Sequence, residues 1–542
     1  MNILFIMYDQ LRFDYLGCAG HPTLKTPYID KVAAQGVRFT NAYTQSPICG
    51  AARMSAYTGR YVSSHGAQWN NYPLRVGELT LGDHLRAGGV GCWLVGKTHM
   101  SADAAGMERL GLVPDSVIGA RQAECGFDVW CRDDGLWAEG PSGFYDTKRS
   151  PYNEFLKSKG YGGQNPWADF ANAGRDGDDI ASGWFMANAD KPANVAEEDS
   201  ETPWLTSEAI RFMETTDGPW CAHISYIKPH WPYIVPAPYN DMYTADDISP
   251  PVRHASELDD PHPVYACFTS GRVGQAFSKD KVRNRVIPAY MGLITQCDDQ
   301  LGRLLNYLDD SGRAEDTMIV ITSDHGDYLG DHWMGEKDLF HNPSVKIPLI
   351  VYDPRSSADK TRGTTCDDLV EAIDITATLI DAAGCDIPDH IVEGQSLMPV
   401  VETGSASHPR QYAVSEYDYS SHPVCQSIGV APRDARLFMV ATQDWKLVHC
   451  EGGLRPMLFD LKNDPEELRD LGADPAYEDV RQRMYVHLHN WSMRMSQRVT
   501  QSDEDIAKKK ASGGSTGVVL GLYTGAEVPL ELTQHYRGPI PK

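Results

Sequence analysis

The sequence has no run approaching the ~20 apolar residues of a membrane-spanning helix, so no such helix is expected. It also lacks a basic excess: 49 Lys and Arg face 74 Asp and Glu, a formal net charge of −25. Nucleic acid and anionic membrane surfaces both demand a basic footprint, so neither is expected as a partner. A small anionic substrate stays open, because a few cations in one cleft override the global field. Cysteine is sparse, 12 in 542 residues, and Cys92, Cys221 and Cys297 sit singly in apolar stretches. With no CxxC pair, a structural zinc site is not expected. The opening residues, Met1 to Asp9, carry no basic stretch and read as a buried strand rather than an export signal. Reduced thiols and a cytoplasmic location are the resulting expectation. No internal repeat is found. Hydrophobic residues make up 42% of the chain, enough for a large core and too many for a disordered polymer.

Strand-like and helix-like segments alternate over the first 400 residues. Strands are predicted over 3–7, 92–95, 220–227, 318–322 and 348–352, and helices over 28–35, 79–87, 206–214, 289–308 and 369–383. This alternation predicts an α/β fold, with a large, mostly parallel sheet sandwiched by helices. Ligands then bind at the carboxyl ends of the strands. Residues 106–203 and 259–281 show little periodicity and read as loops walling a site. Past residue 405 the pattern changes to antiparallel strands over 437–441 and 445–450, a strand over 458–461 and a helix over 477–497. Three parts are therefore expected: a catalytic domain over 1–405, a smaller C-terminal α+β subdomain over 406–500 with a short antiparallel sheet, and an extended arm over 501–542. The arm, with Lys508-Lys509-Lys510 and Ser512-Gly513-Gly514-Ser515, suggests exchange between subunits of a homo-oligomer, a dimer or tetramer.

Three strand ends carry chemistry: Asp9-Gln10, then Gly96-Lys97-Thr98-His99, then Ser323-Asp324-His325-Gly326-Asp327. Asp9 and Asp324-His325 at neighbouring strand ends make an acidic pocket suited to a divalent cation. Singly, an Asp at a strand end is more often a helix cap or turn residue; together, in this order, the three are much stronger. A fourth element is Ser46-Pro47-Ile48-Cys49-Gly50-Ala51-Ala52-Arg53, leading into Thr58-Gly59-Arg60. It resembles the signature of the type I sulfatases, Cys-x-Pro-x-Arg followed by Thr-Gly-Arg. Gly89-Val90-Gly91-Cys92-Trp93-Leu94-Val95-Gly96-Lys97-Thr98-His99 resembles that family's second signature, and Ser323-Asp324-His325-Gly326 its metal-binding strand end. Trp445-Lys446-Leu447 with Leu458-Phe459-Asp460-Leu461-Lys462-Asn463-Asp464-Pro465 resembles its C-terminal hallmark. The resemblance runs from residue 1 to about 475. Motif order and the long arm are also similar to the phosphonate monoester hydrolase branch of the same alkaline-phosphatase-like superfamily. Ala51 stands where the usual maturation motif has Pro. Gln10 and His325 are similar to the phosphonate hydrolase branch, whereas Lys97 and His99 follow the sulfatase pattern.

The resemblance implies that Cys49 is oxidised to formylglycine by a formylglycine-generating maturation enzyme. It implies one divalent metal ion, Ca2+ or Mn2+, on Asp9, Gln10, Asp324, His325 and residue 49. Calcium is the family's usual ion, and the imidazole ligand makes manganese a competitor. Hydrolysing a small anionic sulfate ester requires charge neutralisation, an oriented nucleophile and protonation of the leaving oxygen. By resemblance, a hydroxyl of the hydrated aldehyde attacks sulfur, and the second lets the adduct collapse and expel sulfate, with His99 taking that proton. Arg53 supports the hydrated aldehyde and the carboxylates, Lys97 and Lys337 hold non-bridging oxygens, His230 in Lys228-Pro229-His230-Trp231-Pro232 protonates the leaving group, and Asn70 contacts substrate. The bland readings are a buried thiol for Cys49, a surface turn for Lys97 and His99, a solvated charge for Lys337 and a strand cap for His230. Asp327, Asp331 and His332 are expected to be supporting or structural, and His65 is open between structure and function.

The activity expected is a formylglycine-dependent sulfatase, promiscuous toward phosphonate monoesters and phosphodiesters. Alternatives are phosphonate monoester or phosphodiester hydrolysis as the main activity, and a non-catalytic metal- or anion-binding protein if Ala51 leaves Cys49 unconverted. A thiol hydrolase fits poorly, since it gives Asp9, Asp324 and Lys337 no work. Trp130, Trp137, Trp167, Trp184, Trp204 and Trp231 suggest either an aromatic or apolar leaving group or core packing.

Overall fold

The computed structural model describes residues 1–135, 150–496, 499–511 and 526–527. Its strands, in chain order, are β1 (Asn2–Asp9), β2 (Val37–Tyr43), β3 (Gly91–Gly96), β4 (Asp128–Arg132), β5 (Ala173–Asp176), β6 (Asp179–Ser182) and β7 (Trp220–Pro229). There follow β8 (Thr317–Ser323), β9 (Leu349–Tyr352), β10 (Thr364–Glu371), β11 (Ala413–Asp418), β12 (Arg436–Ala441), β13 (Trp445–Cys450) and β14 (Met457–Asp460). The main sheet has eight strands in the order β10-β2-β9-β8-β1-β7-β3-β4. Every pair is parallel except those of β9, which runs against β2 and β8.

The sheet is buried on both faces, which explains why β1 reads as an unbroken apolar run rather than an alternating one. Leu4, Ile6 and Tyr8 point to a core shared with helices Glu201–Thr215 and Asp280–Asp310. Ile3, Phe5 and Met7 point to the opposite core, shared with helices Cys49–Thr58, Leu81–Ala87 and Ile373–Ala382. The expected α/β sandwich is therefore the observed one.

Several local expectations are corrected. The segment 369–383 is not one helix: residues 369–371 complete β10 against β2, and the helix starts at Ile373. A short apolar run at a strand end cannot be told from a helix start by periodicity. The stretch 106–203 is not loop throughout: its described residues include helices and strands. Helices Ala104–Leu110, Val117–Ala123 and Pro151–Ser158 are each opened by a side-chain cap from Asp103, Ser116 or Ser150, and β4 extends the main sheet. The stretch 259–281 likewise holds helices Pro263–Ser270 and Arg272–Phe277. The helix expected over 289–308 runs from Asp280 to Asp310, through Pro288, because Arg283, Val286 and Ile287 are buried and their packing outweighs the proline penalty.

β11 to β14 form a separate antiparallel sheet in sequential order. Val414, Val440, Leu447 and Leu458 meet Met484, Leu488 and Trp491 of helix Glu478–Ser492. On the other face Tyr417, Leu437, Met439 and Phe459 share a core with Tyr43, Ile48 and Ala51. Residues 1–387 and 392–494 thus form one compact unit, small sheet included. A second unit comprises 388–391 and the described residues from 495 onward, with helix Asp503–Ala511. The rest of the expected arm, including Ser512-Gly513-Gly514-Ser515, lies outside the described residues apart from 526–527. Among the described residues no helix is long and apolar enough to cross a membrane.

Candidate active site

Four adjacent strands of the main sheet, β8-β1-β7-β3, place chemistry at their carboxyl ends. Asp9 ends β1, Asp324 and His325 follow β8, His230 follows β7 and Lys97 follows β3. The register pairs Tyr8 with Ser323, setting Asp9 beside Asp324. Gln10 turns the chain in the left-handed region at φ 66°, and its amide donates to Asp324 Oδ1 at 3.0 Å. Cys49 enters from helix Cys49–Thr58. The Gly50 amide donates to Asn70 Oδ1 at 2.8 Å, and a Cβ on Gly50 would come within 3.1 Å of that oxygen. Asn70 therefore braces the cysteine turn.

Asp9, Cys49, Asp324 and His325 offer ligand atoms that all lie within 4.8 Å of one another, and all four are buried. Cys49 Sγ is 3.0 Å from His325 Nε2 and 3.9 Å from Asp9 Oδ1. His325 Nδ1 donates to the Gly326 carbonyl at 2.9 Å, so in the neutral ring Nε2 presents a lone pair to the cluster. Burial opposes the imidazolium, but Asp324 and Cys49 outweigh it and raise His325 to about 9. The pocket thus calls for positive charge beside two carboxylates. Gln10 Oε1 is buried without a hydrogen-bond partner among the described residues, while its Nε2 is held by Asp327 and Tyr233. An orphaned amide oxygen, two carboxylates and one imidazole suit a divalent cation of Ca2+ or Mn2+ character. The residues present fit the ion.

Arg53 is one helical turn beyond Cys49 and fully buried. Its Nε donates to Asp324 Oδ2 at 2.8 Å and its Nη2 lies 3.3 Å from Asp9 Oδ2. Nη1 is fixed by Ser225 Oγ at 2.7 Å, the Lys97 carbonyl at 3.2 Å and Tyr57 OH at 3.3 Å. Lys97 Nζ sits 2.5 Å from Asp9 Oδ2. Burial opposes the Asp9 charge, yet the Lys97, Arg53 and Lys337 cations hold its carboxyl well below the usual range. Burial raises the Cys49 thiol, but the Lys337 ammonium at 2.9 Å helps bring it below its ordinary value overall.

Lys337 Nζ also lies 3.2 Å from His230 Nε2. His230 Nδ1 donates to the Trp231 carbonyl at 2.7 Å, so neutral His230 accepts at Nε2. Burial, and then the Lys337 and Lys97 charges against Asp9, hold His230 well below its ordinary value. His99 is set differently. It occupies the left-handed region at φ 56°, and its Nδ1 is buried without a partner among the described residues. Burial and the adjacent Lys97 charge keep it neutral. Lys337, His99 and Asn70 are only half-buried, marking the mouth of the site. Left-handed residues crowd the Lys337 loop (Leu329, His332, Trp333, Glu336, Asp338, Leu339), a concentration typical of functional segments.

Eight of the eleven expected site residues therefore meet directly: Asp9, Cys49, Arg53, Lys97, His230, Asp324, His325 and Lys337. Gln10 joins them through its backbone amide and Asn70 through Gly50; among the described residues His99 makes no hydrogen bond to the cluster. Sequence reasoning missed Tyr57, Ser225, His223 and Tyr233. Tyr57 OH pairs with His223 Nε2 at 2.8 Å behind Arg53, and Tyr233 OH donates to Asp327 at 2.9 Å behind Gln10. Asp327 is thus a support for Gln10, Asp331 an ion-pair partner of Arg12 at 2.7 Å, and His332 is bonded to Glu257 at 2.7 Å. His65 is buried against Ser55 Oγ at 2.9 Å and is structural.

The fold and this cluster are those of the alkaline phosphatase superfamily. Within it, the chain belongs to the sulfatase family: the family model described as Sulfatase matches residues 1–385. A second, described as N-sulphoglucosamine sulphohydrolase, C-terminal, matches residues 330–494. The chain is 30% identical over 501 residues to a multifunctional alkaline phosphatase superfamily protein, PehA, of Trinickia caryophylli, covering 88% of this chain and 92% of that protein. It is 28% identical over 503 residues to an arylsulfatase of Clostridium perfringens, covering 88% of this chain and 91% of that protein. Among solved structures, the phosphonate monoester hydrolase SpPMH of Silicibacter pomeroyi superposes with a TM-score of 0.79 at 28% identity, covering 92% of this chain and 96% of that one.

Proposed function

We propose that the protein hydrolyses monoanionic esters, sulfate monoesters first, through a formylglycine made from Cys49. One observation carries this reading: Cys49 Sγ lies within 3.0 Å of both His325 Nε2 and Lys337 Nζ, inside the carboxylate cluster. Sγ stands where the oxygens of a hydrated aldehyde would be, and that aldehyde supplies an oxygen nucleophile. A divalent cation on Asp9, Gln10, Asp324, His325 and residue 49 supplies charge neutralisation and favours the ionised nucleophile. Because Cys49 and Ala51 are both 0% exposed, the maturation enzyme reaches residue 49 before the 46–60 segment packs.

The remaining work belongs to the side chains. Arg53 fixes both carboxylates, so their positions do not depend on substrate. Lys97 and Lys337 hold non-bridging oxygens as point charges. His230 donates at Nε2 once it is imidazolium, and an anion seated between it and Lys337 favours that form. His99, kept neutral by burial and Lys97, takes the proton when the adduct collapses.

Promiscuity toward phosphonate monoesters and phosphodiesters follows from the shared charge and tetrahedral shape of these esters. A second reading makes phosphonate monoesters the main substrate; it is favoured by superposition on two phosphonate monoester hydrolases at TM-scores of 0.77 and 0.79, each at 28% identity. The test compares kcat/KM on an aryl sulfate and an aryl phosphonate monoester carrying the same phenol. The sulfate is expected to be faster. A much higher value on the phosphonate reverses the order, and turnover of neither ester rejects the proposal.

A further inference from the structure

The six tryptophans raised by the sequence divide in space. Trp204 packs against Tyr152 at 5.1 Å and Trp130 against Phe212 at 5.6 Å, both core contacts, and Trp137 lies outside the described residues. Trp231, Trp184 and Trp167 form a line. The His230 and Trp231 rings are 4.5 Å apart, Trp231 meets Trp184 at 5.7 Å, and Trp184 meets Trp167 at 6.1 Å. The line starts at His230, the proposed leaving-group acid, meets solvent at Trp184, which is 50% exposed, and is anchored on buried Trp167.

This line is braced rather than loose. Trp167 is buried, and its Nε1 donates to Glu201 Oε1 at 2.7 Å. Asn172 ties the two tryptophan-bearing loops together: its Oδ1 accepts from Lys228 Nζ at 2.9 Å and its carbonyl accepts from the Gly183 amide at 3.0 Å. Lys228 also holds the Pro232 carbonyl at 3.0 Å, on the loop bearing His230 and Trp231. A Cβ on Gly183 would fall 2.2 Å from the Asn172 carbonyl oxygen, so the approach that sets Trp184 in place requires glycine there.

We propose that Trp231 and Trp184 are the leaving-group platform of the site, and that the preferred esters carry an aryl group stacked against them. The inference rests on the proposed ester hydrolysis at residue 49. An aromatic surface that begins at the acid delivering the leaving-group proton lies where the departing oxygen's substituent must go, and offers ring faces and edges to a planar group. A subunit contact gives no reason for the line to start at His230.

Inert sulfonates test this apart from turnover. Calorimetry on the matured, cation-loaded enzyme compares benzenesulfonate with methanesulfonate, whose carbon–sulfur bonds are not cleaved. Benzenesulfonate is expected to bind at least about tenfold tighter. Trp184→Ala should weaken benzenesulfonate alone by about three- to tenfold, with Trp184→Phe recovering most of the loss. Equal binding of the two anions, equal weakening of both by Trp184→Ala, or a change in oligomeric state by gel filtration with discrimination intact would each overturn the platform. Turnover of aryl sulfate and aryl phosphonate monoester is followed in parallel. Sustained turnover without discrimination rejects the platform alone, whereas discrimination without turnover of either ester rejects the hydrolytic reading.

Discussion

Replacing Arg53 by Ala is the sharpest perturbation of the cluster, because this guanidinium touches both Asp9 and Asp324 and all three side chains are 0% exposed. Its removal leaves two buried carboxylates adjacent, with Lys97 against Asp9 and His325 against Asp324. Breaking one partner out of a buried pair costs about 3–5 kcal/mol. With an unfolding entropy of about 2.1 cal/mol/K per residue, that loss lowers Tm by about 3–4 °C for a chain of this length. The deficit is expected in full in chelator at neutral pH and shrinks on acidification, as a carboxylate takes up a proton. Divalent cation at a hundred times its Kd returns about 2.7 kcal/mol, and the Tm gain on adding cation should be larger in Arg53→Ala than in the parent. Arg53→Lys keeps the charge without the fork and should fall between. Thermal unfolding in chelator and in Mn2+ or Ca2+ reads all of this. An Arg53→Ala protein within about 0.5 kcal/mol of the parent in chelator, or one whose cation gain is no larger, would refute the reasoning.

Other perturbations give distinct readouts. Lys337→Ala should lower kcat/KM by about 10²–10³ on sulfate and phosphonate esters alike, as for loss of one transition-state charge contact; a loss confined to one ester class would contradict its placement against residue 49. Asp9→Asn should weaken divalent-cation binding by at least about tenfold in calorimetry, and unchanged affinity would move the ion elsewhere. Burial pushes the Glu416 carboxyl up to about 7, against the pull of the Ser63 amide at 3.0 Å. The folded state then keeps a proton that the unfolded chain releases near pH 4.3, so this contribution is complete below about pH 4.3 and is lost as pH rises through about 7. Glu416→Gln should therefore remove a decline of up to about 1.4 kcal/mol per pH unit in urea stability over that window, and an unchanged slope would show that the group is not responsible.

The site was legible because its groups lie in short motifs directly after apolar runs: Asp9 after β1, Lys97 after β3, and Asp324 and His325 after β8. A strand end fixes a side chain's place once the sheet is known, so order along the chain carried most of the geometry. The supporting groups carried no such mark. Tyr57 and His223 sit within a helix and a strand that are buried throughout, and by composition they cannot be told from core residues. Helices Ala104–Leu110 and Val117–Ala123 span two turns each, too few for an apolar period to show, although the Asp103 and Ser116 caps were readable. β2 alternates only in part, and β10, an edge strand, is exposed over its first half, so both lacked the continuous apolar signal of β1.

Hydrolysis at this site turns on what residue 49 becomes. Peptide mass spectrometry across residues 46–53 of the purified enzyme, with hydrazide labelling of carbonyls, reads it in one measurement. An aldehyde is expected at position 49, in proportion to specific activity. A free thiol throughout, in preparations that still turn over aryl sulfate or aryl phosphonate, would contradict it.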